Sequence, residues 1–315
     1  MERRVVHINI TNFMATIEEA RDPSLRARPF IIAAEGQARA SVLGISDIAY
    51  AEGARPGMPL SLALKRLPRC PVIPPDPELY ETAQSSIYEL ACRFSPMVEL
   101  RAGGHLFVDM TGMGRLFGYS IDAAAKLKYA YQSSLGLDPT TALAVNKVVS
   151  KVATRVVRPH GFASVPPGEE GTFMEPQPVS LLPGVGPQLL SRMGALGVLL
   201  MGELAHLSDA QAISAFGPRG TTLKRHALGM DTEPVHTNPS IVGSLSFSRI
   251  LNTDSNDPSL LRAHLILLAE QTGYAMRGQN RSTGRIQLTL QYSDMKSYSR
   301  QVTRTPAIST DKELY

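Results

Sequence analysis

The sequence predicts a chain of several domains in which α/β and α+β parts follow one another. Strand-length apolar runs alternate with helix-length amphipathic runs from residue 4 to residue 157, the pattern of an α/β layer. After Pro166-Pro167-Gly168 the character changes to short helical segments punctuated by Gly and Pro. A last block over 244–305 reads β-α-β-β. At 315 residues the chain is longer than one compact core usually holds.

The elements follow in order. Residues 4–10 are a short apolar run bounded by charge, hence a strand; 13–21 have helical spacing and stop at Asp22-Pro23. Residues 30–34 and 40–46 read as paired strands around Glu35-Gly36, and 58–67 as a helix that ends at the turn-rich stretch Pro68 to Pro77. Apolar residues recur at helical spacing from Glu78 to Arg93. Strands over 96–101 and 105–110 are separated by Gly103-Gly104. Residues 120–135 form a helix, 142–145 a strand and 146–157 another helix. Residues 231–243, polar with two prolines, read as a linker. A strand over 244–251, a helix over 257–278 and strands over 284–292 and 297–305 then follow, with a further helix starting near the last residue, Tyr315.

Composition bounds the function. A hydrophobic content of 43% with 19% charged residues fits a globular protein. No run of 18 apolar residues is present, so no membrane span is expected. The opening MERRVV enters a strand at once and lacks a signal-peptide pattern, and Cys70 and Cys92 have neither metal nor disulfide-framework spacing. A cytoplasmic location with free thiols is the plain expectation. The net charge of +4 permits nucleic-acid binding without establishing it.

Several stretches carry chemistry. Pro183-Gly184-Val185-Gly186, between two short helical runs, suits a helix-hairpin-helix: its glycines let backbone N–H groups approach a phosphate closely. An ordinary helix–helix turn is the bland alternative. Lys147, Lys151, Arg155 and Arg158 recur at i, i+4, i+8 and i+11, one basic face of a helix whose other face is valine-rich; taken alone this is a solvated stripe. Arg277, Arg281, Arg285, Lys296, Arg300 and Arg304 crowd the last block against Asp294, a basic surface suited to a DNA backbone or simply scattered surface arginine.

Residues 5–29, VVHINITNFMATIEEARDPSLRARP, closely resemble the opening of a Y-family (translesion) DNA polymerase of the DNA polymerase IV and UmuC type. PMVELRAGGHLFVDMT (96–111) resembles the same family's S-h-D-E-A-h-h-D-h-T hairpin, anchored on Phe107-Val108-Asp109-Met110-Thr111. SVLGISDIAYAEGARPGMPLSLALKRLP (41–68) resembles its fingers segment and VNKVVSKVATRVVRPHG (145–161) its N-K-x-x-x-K stretch. The resemblance implies a right-hand polymerase architecture. It places a palm over 1–11 and 76–165, small fingers over 12–75, a helix-hairpin-helix thumb over 166–232, a linker over 233–243 and a β-α-β-β little finger over 244–315.

At the reactive positions the resemblance fails. A polymerase needs clustered carboxylates to hold two magnesium ions about 3.5–4 Å apart. Those positions are Asn9, Gly104 and His105 here. The tyrosine and arginine that hold the triphosphate fall on Asp47 and Tyr50, and the steric-gate aromatic on Met14. Only Arg158 keeps its charge, at the position that touches the triphosphate. Asp109 matches a family aspartate outside the metal pair, a structural role, and His105 reads as a polar strand residue rather than a ligand.

The resulting expectation is a non-catalytic accessory protein that binds primer–template DNA irrespective of sequence, alongside a replicative or translesion polymerase and a sliding clamp, with no cofactor. The alternative is an error-prone polymerase that holds Mg2+ through displaced acids, the nearest being Glu99, Asp109 and Glu18. A fold relic that binds protein only is the third reading.

Overall fold

A computed structural model describes residues 2–34, 40–237, 244–251, 253–292 and 296–315. The expected turn at Glu35-Gly36, residues 238–243 of the expected linker and Asp294 lie outside the described residues. The chain divides into two compact units, one made of Met1–Glu35, Ser41–Met58 and Leu62–Ser240, the other of Gly36–Ala40, Pro59–Ser61 and Ile241–Tyr315.

The first unit is built on a palm-like sheet. Its strands are β1 (Val5–Asn9), β5 (Val98–Arg101), β6 (His105–Asp109), β7 (Thr140–Ala144) and β8 (Phe162–Ser164), with β2 (Ile31–Ile32), β3 (Gly44–Ile45) and β4 (Val72–Ile73) between β1 and β5 in sequence. The order is β5-β6-β1-β7-β8, antiparallel except for the β7–β8 pair. Every residue of central β1 is buried, because helices cover both faces. Alternation along the strand divides its residues between those faces. Val6 and Ile8, with Leu106, Val108 and Leu143, pack against Ile87 and Leu90 of helix Pro77–Cys92 and Leu127 and Tyr131 of helix Ser120–Leu135. On the other face Ala142 and Ala144 meet Val148, Val149, Val152 and Ala153 of helix Lys147–Val157. That core continues without a break into Met174, Leu182, Met193, Met201 and Leu204 of the following helical region.

Asn146 starts helix Lys147–Val157 by accepting the Val149 N–H, and its amide donates to Gly229 O at 2.7 Å. Two short strands escaped the sequence reading. β4 and β8 span two and three residues, and only their parallel pairing with β2 and β7 makes them strands. The start of the expected linker is packed: Val235 is 1% exposed against Val5 and Phe107, and the His236 N–H donates to Glu99 at 2.9 Å.

In the second unit helix Pro258–Gly278 precedes an antiparallel ribbon of β9 (Thr283–Gln291) and β10 (Ser297–Ile308), then the short helix Asp311–Leu314. The strand expected over 244–251 is not formed. Its alternating sequence finds no ladder partner among the described residues, and a strand exists only through such pairing. Among the described residues no helix is long and apolar enough to cross a membrane.

Candidate functional site

Antiparallel register sets Asn9 of β1 opposite His105 of β6, and the Ile10 N–H donates to Gly104 O at 3.0 Å. The three positions at issue therefore meet. Gly104 has φ +76, and a Cβ there would lie 2.7 Å from Phe13 Cδ2 and 2.9 Å from Ile10 Cβ. The backbone is left-handed and the space is filled, so only glycine fits. Asn9 is buried, with its amide 3.5 Å from Thr11 Oγ1.

The face holds a residue that sequence reading missed. His7, two positions before Asn9 on the same strand face, is fully buried and stacks on His105 with ring centroids 5.3 Å apart. Period-two alternation from Asn9 was the available signal. His7 Nδ1 lies 2.7 Å from Thr154 Oγ1, and His7 Nε2 lies 3.3 Å from His105 Nδ1. Burial first, then His105, Lys151 and Arg155, hold the His7 pKa well below its ordinary value. Burial, with Lys151, Arg155 and Arg158, takes His105 down to about 4. Lys151 is itself lowered by burial and by the charges of Arg155, Arg101 and Lys147. The face is a cluster of cations and neutral imidazoles.

The resemblance calls for magnesium, a hard ion that takes carboxylate and phosphate oxygens. An amide, two neutral imidazoles and a glycine among lysine and arginine do not make that donor set. Among the described residues no three His, Cys, Asp or Glu side chains are grouped to hold a metal ion.

The nearby acids are all engaged. Burial works to raise the Glu99 carboxyl, but the His236 N–H, Lys147 and Arg101 outweigh it and hold it low. Glu18 is fully buried, accepts the Tyr80 hydroxyl at 2.8 Å and pairs with Arg21. Asp109 accepts the Thr111 N–H at 2.9 Å, a turn contact that fits its expected structural role.

Around this face, Met14 is half-buried between the main core and the cluster of Phe30 and Ile32. Asp47, first residue of a short helix, accepts from Asn12 at 2.5 Å. Tyr50 is half exposed, with the Arg55 guanidinium 3.9 Å above its ring. Arg158 is exposed and extended at the C-cap of helix Lys147–Val157, so the basic face expected to run through it ends at Arg155.

Lys147 requires correction as a DNA contact. It is buried and paired with Glu99 at 3.0 Å and Glu233 at 2.7 Å, which leaves it no reach to a phosphate. Arg277 is likewise occupied within its own unit, with Nη1 2.6 Å from Asp311. Arg285 pairs with Thr303 and Arg300 with Leu288, so alternation sends Arg285 and Arg300 to opposite faces of the ribbon. Among the described residues, Arg285 and Arg300 therefore do not share one basic sheet surface. Arg304 follows Thr303, where the register shifts, and Arg281 is half-buried beside Gln279. In the first unit Gly184 has φ +89 and lies with Gly186 in open space. A 3-10 turn, Val179–Leu181, precedes this hairpin where a short helix was expected, and helix Pro187–Ala195 follows it.

The palm-like sheet, the helical region behind it and the α-β-β unit, in this chain order, define the fold of a DNA polymerase of the right-hand class. The chain belongs to the impB/mucB/samB family, the Y-family polymerases and their homologues: residues 8–155 match that family and 242–315 its C-terminal domain. It is 30% identical over 310 residues to a DNA polymerase IV of Alkaliphilus oremlandii, covering 98% of this chain and 78% of that one. A DNA polymerase IV of Dehalococcoides mccartyi is 28% identical over 313 residues, covering 99% and 80%. Among solved structures, a Y-family DNA polymerase chimera of Dbh and Dpo4 superposes with a TM-score of 0.85 at 20% identity over 99% of this chain and 90% of that one. DinB from Sulfolobus solfataricus gives 0.70 at 20% identity with the same coverage.

Proposed function

We propose that this chain binds primer–template DNA without regard to sequence, as an accessory in translesion synthesis, and does not itself transfer nucleotides. The observation that carries the reading is Gly104. The backbone at a metal-ligand position is left-handed and packed against Phe13 and Ile10, so no side chain can reach from it. Asn9 and His105 beside it are neutral, and cations rather than carboxylates surround them. Phosphoryl transfer depends on metal charge neutralisation and on positioning, and both are weakened here.

DNA would be held through its backbone. Exposed Gly184 and Gly186 offer N–H groups to one strand, while the Val185 N–H is spent on Leu182 O at 3.3 Å, and exposed arginines of the β9–β10 ribbon suit phosphates. Such contacts position the protein without reading bases. An active polymerase and a sliding clamp are the partners this role calls for.

Primer extension by the purified chain with magnesium and with manganese tests the reading. No incorporation is expected with either ion. Templated extension that the Asn9→Ala variant lacks would restore the alternative, in which Glu99, Asp109 or Glu18 serves as a displaced ligand.

A further inference from the structure

The helical region that follows the palm-like sheet is charged against the rest of the chain. Between Gly161 and Pro218 the sequence holds five acids, Glu169, Glu170, Glu175, Glu203 and Asp209, and one arginine, Arg192, in a protein whose net charge is +4. Lys224 neutralises Asp209 at 2.8 Å. Among the described residues no cation pairs with Glu175 or Glu203.

These two carboxylates border one groove of about 720 Å³, which Pro176, Leu200, Gly202 and His206 also line. Backbone bonds fix its walls. The Met201 N–H donates to Gln177 O at 2.8 Å and the Gly202 N–H to Glu175 O at 3.0 Å. A Cβ on buried Gly202 would lie 2.8 Å from Glu175 Cγ, so helix Met201–His206 lies close against the chain at 175–177. Glu203 accepts the Leu200 and Leu199 N–H groups at 2.9 and 2.6 Å, and these bonds hold its carboxyl below the usual range, ionised. His206 Nδ1–H donates to Gly202 O at 2.6 Å, which leaves Nε2 of the neutral ring as an acceptor.

The rim is apolar. Leu196, Leu199 and Leu200, in the turn between helices Pro187–Ala195 and Met201–His206, are 54%, 60% and 39% exposed. Single exposed leucines are ordinary, but three in one short turn at the mouth of a groove mark a contact surface. Its charge selects the occupant. Carboxylates repel a phosphate backbone, so DNA does not belong here. The complement is a segment whose Lys or Arg donors flank an apolar side chain.

We propose that the groove between helix Met201–His206 and residues 172–176 docks a partner protein, which inserts an apolar side chain beside Leu199 and Leu200 and sets Lys or Arg against Glu175 and Glu203. The site shares no residue with the sheet face, and the inference stands whether or not the chain transfers nucleotides.

The test uses the full chain and three short dye-labelled peptides of equal length, built of Leu and Lys, of Leu and Glu, or of Ser and Lys. Fluorescence anisotropy should show saturable binding of the Leu/Lys peptide, with the other two at least about tenfold weaker. Glu175→Lys and Leu199→Ser, both at exposed positions, should each weaken it at least about tenfold. Glu175→Gln should fall between the parent and Glu175→Lys, and serves in its place if the reversed charge unfolds the chain. Glu89→Lys, an exposed charge on helix Pro77–Cys92, should change nothing. Hydrogen exchange should slow over 172–176 and 199–206 when the peptide binds, and primer–template DNA should not displace it.

No binding of the Leu/Lys peptide, equal binding of the Leu/Glu peptide, or protection confined to other segments would overturn the proposal. Binding that ignores both Glu175→Gln and Leu199→Ser would do the same. Displacement by DNA would make a nucleic acid the occupant, and self-association of the chain that Leu199→Ser abolishes would make it a second copy; either result defeats the partner reading. Primer extension, which tests the function proposed above, reports on none of these outcomes.

Discussion

His105 donates to His7, and the direction of that bond follows from its neighbours. The Thr154 hydroxyl donates to Lys151 O at 2.8 Å, so its oxygen accepts from His7 Nδ1–H. His7 Nε2 is then a bare acceptor, and His105 Nδ1, 3.3 Å away, carries the proton. Both rings are neutral. Each stays unprotonated in the fold at pH values where a free imidazole near 6.5 has already taken up a proton. Below pH 6.5 the unfolded chain therefore binds more protons than the folded one. Stability is complete above 6.5 and falls as pH drops, for His105 until about 4. The loss is at most about 1.4 kcal/mol per pH unit for His7 and less for the partly exposed His105. Urea midpoints at pH 7.5 and 5.0 measure it. His7→Phe should shrink the difference, and equal midpoints for the parent would count against the buried neutral pair.

Gly104→Ala should destabilise the chain by about 2–5 kcal/mol, since a left-handed residue and a sub-contact Cβ act together. Gly104→Asp should be no better. The triple replacement Asn9→Asp, Gly104→Asp, His105→Glu therefore does not rebuild a metal cluster on the present backbone. Denaturant unfolding of the single alanine variant is the check, and an unchanged midpoint would show that the loop relaxes freely.

Lys147→Met should cost about 1.5–3 kcal/mol, because buried Glu99 loses one of its charged donors and keeps only Arg101 and the His236 N–H. The salt slope of DNA binding should not change, as Lys147 cannot reach a phosphate. A stable variant with a flattened slope would return Lys147 to the DNA interface.

The two faces of the β9–β10 ribbon predict different roles for its arginines. Arg285 shares a face with Gln287, Thr289, Ser299, Gln301 and Thr303, while Arg300 shares one with Ile286, Leu288, Leu290 and Val302. Phosphates favour the polar face. Arg285→Ala should flatten the log–log salt slope by about 0.9, and Arg300→Ala should barely move it. Arg277→Ala should act on stability through Asp311 instead. Fluorescence anisotropy across a salt series separates these outcomes, and the reverse ranking of Arg285 and Arg300 would assign DNA to the other face.

Much of this was legible in the sequence where a single element sufficed. Helices Phe13–Arg21, Ser120–Leu135 and Lys147–Val157 lie where periodicity and caps put them, because each buries one face of its own pattern. The meeting of Asn9, Gly104 and His105 followed from the family motifs. What stayed hidden depends on partners distant in the chain. Lys147 looks like one more basic residue until Glu99 and Glu233 close on it, 48 and 86 residues away. Residues 244–251 carry a strand pattern but find no partner among the described residues, whereas β4 and β8 carry almost no pattern and do. The conformation of Gly104 leaves no trace in composition at all.

That conformation also imposes an order on change. Phe13 and Ile10 fill the volume that a side chain at position 104 would need. Placing a carboxylate there would first require a smaller Phe13 or a turned β5–β6 hairpin, and neither change supplies one by itself. A side chain at position 104 thus depends on its neighbours before it depends on its own identity.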